Sequence, residues 1–265
     1  MITYNDIEGK YLFYKGEDMF KEGYYEDGAI AVYTIYVQAF SSYYVFDKSR
    51  FNPDNSMALE FGPLKRSEIR QAAELATRAF DDYEYFTNWF PDKEERNQVQ
   101  LSIITHEYKT NFSRVHQLVA RMDGKIVATA QLNAPEYKRP SDFSYVMHGW
   151  LNVYKAGDRK RIDDWLAMDA AAGQPCHDYQ KSGPGIWYAS SLTVDPTVQG
   201  IGLGTKFIGY WENYVRQHGG RQIVFFTNSQ KNLSFYLKRC YEVFDEREFE
   251  YNSHKMGSWS LKKEL

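Results

Sequence analysis

Apolar and polar positions repeat along this chain with periods of about two and about 3.6 residues, and each change of period marks an element. Met57-Ala58-Leu59-Glu60-Phe61 is a short apolar run that predicts a strand. From Lys65 to Phe80 the spacing becomes helical, with Ile69, Ala72, Leu75, Ala76 and Ala79 in helical register. Residues 82–110 predict a second helix, or a pair of helices broken at Phe90-Pro91. A hairpin follows. Val115 to Arg121 and Ile126 to Leu132 are strand-like, and the Asp123-Gly124 pair between them suits a tight turn.

The pattern lapses over residues 134–185, where one helix stands out, about Arg159 to Ala172. Ile186 to Val194 then predicts a strand, Gly202 to His218 a helix stopped by Gly219-Gly220, and Ile223 to Thr227 a buried strand. Lys231 to Arg239 is helical, and Tyr241 to Glu250 pairs with His254 to Lys262 as a closing hairpin. From residue 57 the order is β-α-α-β-β-insertion-β-α-β-α-β-β. Ahead of it, Ala29 to Phe46 is rich in β-branched and aromatic residues and predicts strand, although its length also suits a helix. Phe51-Asn52-Pro53-Asp54-Asn55-Ser56 marks a break. The expected division is an aromatic-rich N-terminal extension over residues 1–55 and one domain over 56–265, interrupted at about 134–185.

Composition narrows the class. The 265 residues are 43% apolar and 25% charged, as in an ordinary globular protein. Aromatic residues reach 17%, with 22 tyrosines, which points to half-buried surfaces or pockets. A net charge of −3 with scattered cations leaves no footprint for nucleic acid or an anionic membrane. No apolar run is long enough to span a bilayer, and the N-terminus lacks the pattern of a signal peptide. Cys176 and Cys240 stand far apart and the six histidines show no ligand spacing. The expectation is a cytoplasmic protein, monomer or homodimer, with reduced thiols and no metal.

The chemistry concentrates at residues 187–206. A strand ends at Asp195-Pro196, and Gly200, Gly202 and Gly204 then let the backbone approach a ligand before a helix opens. Loop amides and the positive helix end point to one place, a ready anion site. The loop fails the Walker pattern, and Thr205 stands where the dinucleotide fingerprint requires glycine. By itself it also suits a tight structural connector. What fits is Gln-x-x-Gly-x-Gly, filled by Gln199, Gly202 and Gly204.

That pattern resembles the acyl-CoA-binding motif of the GNAT superfamily of N-acyltransferases. Leu192-Thr193-Val194-Asp195-Pro196 matches the strand that precedes the loop in that family, and Asn228, Asn232 and Tyr236 match its later asparagine and tyrosine helix. The element order agrees from residue 57 onward, roughly four-fifths of the chain. Cys240-Tyr241 stands where the family often has Gly-Phe, and the insertion of residues 134–185 replaces a short connection.

The resemblance implies a mixed α/β fold. Its central, mostly antiparallel twisted sheet is flanked by helices, and two strands splay apart to admit acyl-CoA. Backbone groups of Leu192, Thr193 and Val194 would pair with the pantetheine arm. Amides of Gln199, Gly200, Ile201, Gly202, Leu203, Gly204 and Thr205 would hold the pyrophosphate, Asn228 would belong to the cofactor site, and Asn232 would hold the cofactor or a bound water. Tyr236 would protonate the departing thiolate while an amine of a small molecule or peptide attacks acetyl-CoA directly. Read as residues alone, Tyr236 also suits a half-buried helix position, and Asn228 or Ser229 a helix cap. No carboxylate occurs on Ile186–Val194, so the base stays open among Asp81, Asp82, Glu84, His148 and His177. A catalytically idle CoA-binding or regulatory protein on the same fold is the rival expectation.

Overall fold

The structure, a computed structural model, describes residues 3–7, 10–14, 46–47 and 59–265. The chain divides into two units, Met1–Met57 and Ala58–Leu265. In the first, strands β1 (Thr3–Ile7), β2 (Lys10–Tyr14) and β3 (Phe46–Asp47) pair antiparallel in that order. Most of the strand expected over Ala29–Phe46 lies outside the described residues.

The second unit is built on a sheet ordered β4-β5-β6-β7-β8-β10-β9. Its strands are β4 (Leu59–Pro63), β5 (His116–Met122), β6 (Lys125–Asn133), β7 (Ile186–Val194), β8 (Gln222–Thr227), β9 (Glu242–Tyr251) and β10 (His254–Glu264). Every neighbouring pair is antiparallel except β7 and β8. The β5–β6 turn takes positive φ at both Asp123 (49°) and Gly124 (75°), as the Asp-Gly pair predicts.

The two-residue period sorts side chains between two cores. Leu118, Ala130, Trp187, Ala189, Ile223 and Phe225 face α6 (Leu203–Gln217) and α7 (Gln230–Leu237). Their strand neighbours Val119, Tyr188 and Val224 face the other way, where α1 (Ile69–Ala79), α3 (Lys93–Asn111) and α5 (Arg159–Lys181) lie. A one-turn α2 (Glu84–Thr87) precedes α3, whose N-cap Asp92 accepts from the Glu95 amide just after the predicted break at Phe90-Pro91.

The inserted stretch holds more structure than the sequence pattern predicts. A short α4 (Asp142–Met147), capped by Ser141, and a 3-10 turn at Trp150–Lys155 precede α5. Helix α5 runs to Lys181 instead of stopping near Ala172, straight through Gly173 and Pro175. Both breakers are buried, as are Cys176 and Gln180 beyond them. Packing on the sheet thus offsets a poor local helix propensity. Cys240, which replaces a glycine of the resembling family, takes the left-handed conformation (φ 61°) that glycine usually supplies after a helix. None of the described helices is long and apolar enough to cross a membrane.

Candidate active site

Strand β7 pairs with β8 only at Ile186–Gln222, Trp187–Ile223 and Tyr188–Val224. Beyond Tyr188 the two strands part, while β7 stays paired to β6 as far as Val194 with Ala128. The residues from Ala189 to Val194, including Leu192, Thr193 and Val194, therefore keep a backbone edge with no strand of the described residues beside it. A register shift opposite Thr129–Gln131 and a left-handed Ser191 (φ 55°) bend β7 at this point. Thr193 spends its side chain in the sheet, where its hydroxyl meets Thr129 at 2.7 Å, so only its backbone is available.

The strand's end is fixed from two sides. Asp195 accepts from Arg78 of α1 at 2.7 Å and from the Thr197 amide at 3.0 Å. Burial works against its charge, but Arg78 and Thr197 outweigh it and hold the carboxyl below its ordinary value. Asp195→Ala removes the cap and the ion pair together. The expected loss is about 1–2 kcal/mol in urea denaturation, mostly from the cap because Arg78 is largely exposed. A loss of only a few tenths would make this clamp idle.

Past Asp195 the loop opens to solvent. Gly200 (φ 85°) and Gly202 (φ 79°) are left-handed, and a Cβ on either would meet no atom within 4 Å. Gln199 turns its side-chain amide back to the Val194 carbonyl at 3.1 Å. Helix α6 begins at Leu203, and Lys206 makes the first amide bond back to Gly202, at 3.1 Å. The preceding amides, through Ile201, Gly202, Leu203, Gly204 and Thr205, thus form the donor end of a helix in open space. Gly204 has another reason for being glycine. A Cβ there would lie 3.4 Å from the Phe235 ring, so it sets the approach of α6 to α7.

Arg239 adds a cation that the sequence pattern did not single out. Its guanidinium lies 3.5 Å over the Phe235 ring and donates to the Thr205 hydroxyl in the first turn of α6. Arg78 and Arg239 meet the loop only through tertiary contacts, so no spacing rule finds them.

At the C-terminal end of β8 three predicted residues part company. Asn228 is buried, its side chain donating to Gly257 at 3.2 Å and its amide to the Tyr83 hydroxyl at 2.9 Å. Its donors thus serve the protein, and the helix cap is Ser229. Asn232 is half-buried, and its backbone amide donates to the Ser229 hydroxyl at 3.4 Å. Tyr236 packs its ring 4.5 Å from Phe225, while its hydroxyl makes no hydrogen bond to any described residue. Burial, reinforced by nearby Tyr83, raises its pKa well above the ordinary phenol. Tyr83 was legible only as one of 22 tyrosines, hidden between the acidic residues 81, 82 and 84.

The five candidate bases scatter. Asp81 is paired with Lys93 at 2.7 Å, Asp82 and Glu84 are exposed, and His148 turns its Nδ1 to the Ser144 carbonyl of its own helix. His177 alone reaches β7, its ring 4.5 Å from Tyr188, and burial lowers its pKa.

Comparison with known proteins agrees with this architecture. The model of the acetyltransferase (GNAT) family matches residues 80–240. No curated protein matches the chain. Among solved structures, a Drosophila melanogaster polyamine N-acetyltransferase that forms N-acetylagmatine is 16% identical, with a TM-score of 0.52 over 78% of this chain and 100% of that one. A candidate acetyltransferase of Salmonella typhimurium, solved with its cofactor acetyl-CoA, is 14% identical (TM-score 0.48; 78% and 94% covered). An acetyltransferase of the GNAT family from Streptococcus pneumoniae is 11% identical (TM-score 0.48; 78% and 100% covered). The Drosophila likeness is one of fold. Because the family model spans more than half of its residues, the chain belongs to the acetyltransferase (GNAT) family.

Proposed function

We propose that the protein is an acetyl-CoA-dependent N-acetyltransferase acting on a primary amine. The observation that carries this reading is the unpaired edge of β7, which begins where β8 departs at Tyr188 and leads into the open amides of the α6 loop. An extended pantetheine arm fits such an edge as an added strand. The open space at Gly200 and Gly202 fits a pyrophosphate at a helix N-terminus, with Arg239 beside it. Acetyl-CoA supplies the acyl group as an activated thioester.

The chain's own part is to orient and to stabilise charge. The backbone amides facing the opening from Leu192 to Val194 polarise a carbonyl laid along that edge. Tyr236, with its pKa raised, stays protonated and offers its uncommitted hydroxyl as a donor to a leaving thiolate.

Tyr236→Phe is expected to leave acetyl-CoA affinity unchanged and lower kcat about 10- to 100-fold. Stability should hardly change, since the hydroxyl makes no bond within the described residues. Full turnover in this variant would remove Tyr236 from the mechanism. Isothermal titration with acetyl-CoA, together with thiol release over a panel of primary amines, tests the function itself. Binding without turnover on any amine favours a CoA-binding protein, and no binding defeats both readings.

A further inference from the structure

Two of the six histidines, which show no ligand spacing in sequence, meet in the fold. His116 opens β5 and His218 caps the C-terminal end of α6, and their ring centres lie 5.5 Å apart. Gly219, left-handed at φ 79°, ends the helix just past His218. Gly220 then lets this end of α6 close on β7, since a Cβ there would come within 2.7 Å of the Trp187 ring. That ring flanks the pair, 5.0 Å from His116 and 6.2 Å from His218. The cluster lies at the end of α6 away from the glycine loop.

Tyr214 fixes both imidazoles. It stands one helical turn before His218, and the two rings stack at 4.1 Å. Its backbone carbonyl accepts from His218 Nδ1 at 2.7 Å. A carbonyl only accepts, so that nitrogen holds the proton and Nε2 keeps the lone pair. The Tyr214 hydroxyl meets His116 Nδ1 at 2.8 Å, across 98 positions of sequence. By accepting there it leaves His116 Nε2 with a lone pair as well. Neither Nε2 bonds to a described residue. His218 is exposed and His116 half-buried, so both rings meet solvent.

A metal-binding imidazole is held in this way, with one ring nitrogen anchored to an oxygen of the protein and the other presented to the ion. Two imidazoles on one tetrahedral ion, each nitrogen about 2.1 Å from it, have ring centres about 5 Å apart. The separation of His116 and His218 agrees with that spacing.

We infer that His116 and His218 form a binding site for a divalent transition metal of the zinc type, which imidazole nitrogen suits. Among the described residues no three His, Cys, Asp or Glu side chains gather to hold an ion, so water completes the coordination. Such an ion ties the first residue of β5 to the last turn of α6. The inference stands apart from the acetyltransferase reading, because neither histidine takes part in it.

Calorimetric titration of the metal-free full chain with Zn2+ tests the site, and the absorption of bound Co2+ identifies the ligands. Wild type should bind Zn2+ with a one-to-one ratio, and H116Q and H218Q should each weaken binding at least tenfold. H218Q is the variant that leaves folding intact, since the side chain it replaces is exposed at a helix end. H254Q, in the exposed turn of the closing hairpin, should bind like wild type. Zinc about a hundredfold above its Kd should raise the Tm of wild type by about 5 °C and hardly move that of H218Q. Bound Co2+ should show visible bands without the near-ultraviolet band of a thiolate. No zinc binding, unchanged affinity in both H116Q and H218Q, or an equal loss in H254Q would overturn the site. A thiolate band would also overturn it, by placing the ion on the exposed Cys240. Stacking without metal binding would leave the four rings as packing alone.

Discussion

Gly202→Val should abolish binding of acetyl-CoA, weakening it at least a hundredfold in isothermal titration, while the protein still folds. The two effects separate because of where the Cβ would go. Nothing in the protein lies within 4 Å of it, so no packed group is displaced. The structural cost is the left-handed backbone, φ 79°, which a branched residue tolerates poorly at about 1–2 kcal/mol. The functional cost is much larger, because the same open volume faces the first amides of α6, where a pyrophosphate would sit. Gly209→Ala in the middle of the helix is the control. Its Cβ also meets nothing within 4 Å, and its backbone is ordinary helix. It should stabilise by about 0.5–1 kcal/mol and leave binding unchanged. Near-normal affinity in the valine variant would mean that the donor binds elsewhere.

Trp211→Ala should cost about 3–5 kcal/mol in urea denaturation, the largest stability loss predicted here. Trp211 is 1% exposed at the centre of the core between α6 and the sheet, its ring 5.9 Å from Phe225. Its indole N–H donates to the Tyr241 hydroxyl at 3.2 Å. That hydroxyl donates to Glu212 at 2.9 Å, and Lys263 reaches the same carboxylate at 2.8 Å. The alanine variant therefore opens a cavity and loosens a buried polar chain that ties α6 to the closing hairpin. Trp211→Phe keeps most of the volume and should lose less than half as much. Since α6 also carries the loop, acetyl-CoA binding should weaken in step with stability in the alanine variant. A loss below about 1 kcal/mol would show that the site collapses around the missing ring.

Family membership gives the fold, and two features of this chain stand out within it. One is the insertion, which lays α5 along β7, β8 and β10 and closes the sheet face opposite α6. The other is the tyrosine-rich polar cluster beneath it. The 22 tyrosines looked like a general excess in composition. In the fold, Tyr137 and Tyr145 both meet Asn111 of α3, Tyr85 reaches Asp169 of α5, and Tyr188 packs on His177 of the same helix. Such a surplus lets a chain pack rings between layers while each keeps a polar tip for a hydrogen bond.

The local pattern determined every strand of the second unit, the hairpin at Asp123-Gly124, and the glycine loop that opens α6. These depend on short-range rules, namely the two-residue alternation, positive φ in a tight turn, and glycine before a helix N-terminus. The motif was contiguous, so its residues were legible as a group. The tertiary structure alone decided the rest. It ran α5 through Gly173 and Pro175 because sheet packing outweighed propensity. It set Gly204 against the Phe235 ring and turned the Asn228 side chain to Gly257, contacts that the motif does not show. It placed Arg78 on Asp195 and Tyr83 on Asn228, pairs separated by 117 and 145 positions. Side chains that meet across such distances have no common period in sequence, because which face each element buries is chosen only when the layers pack.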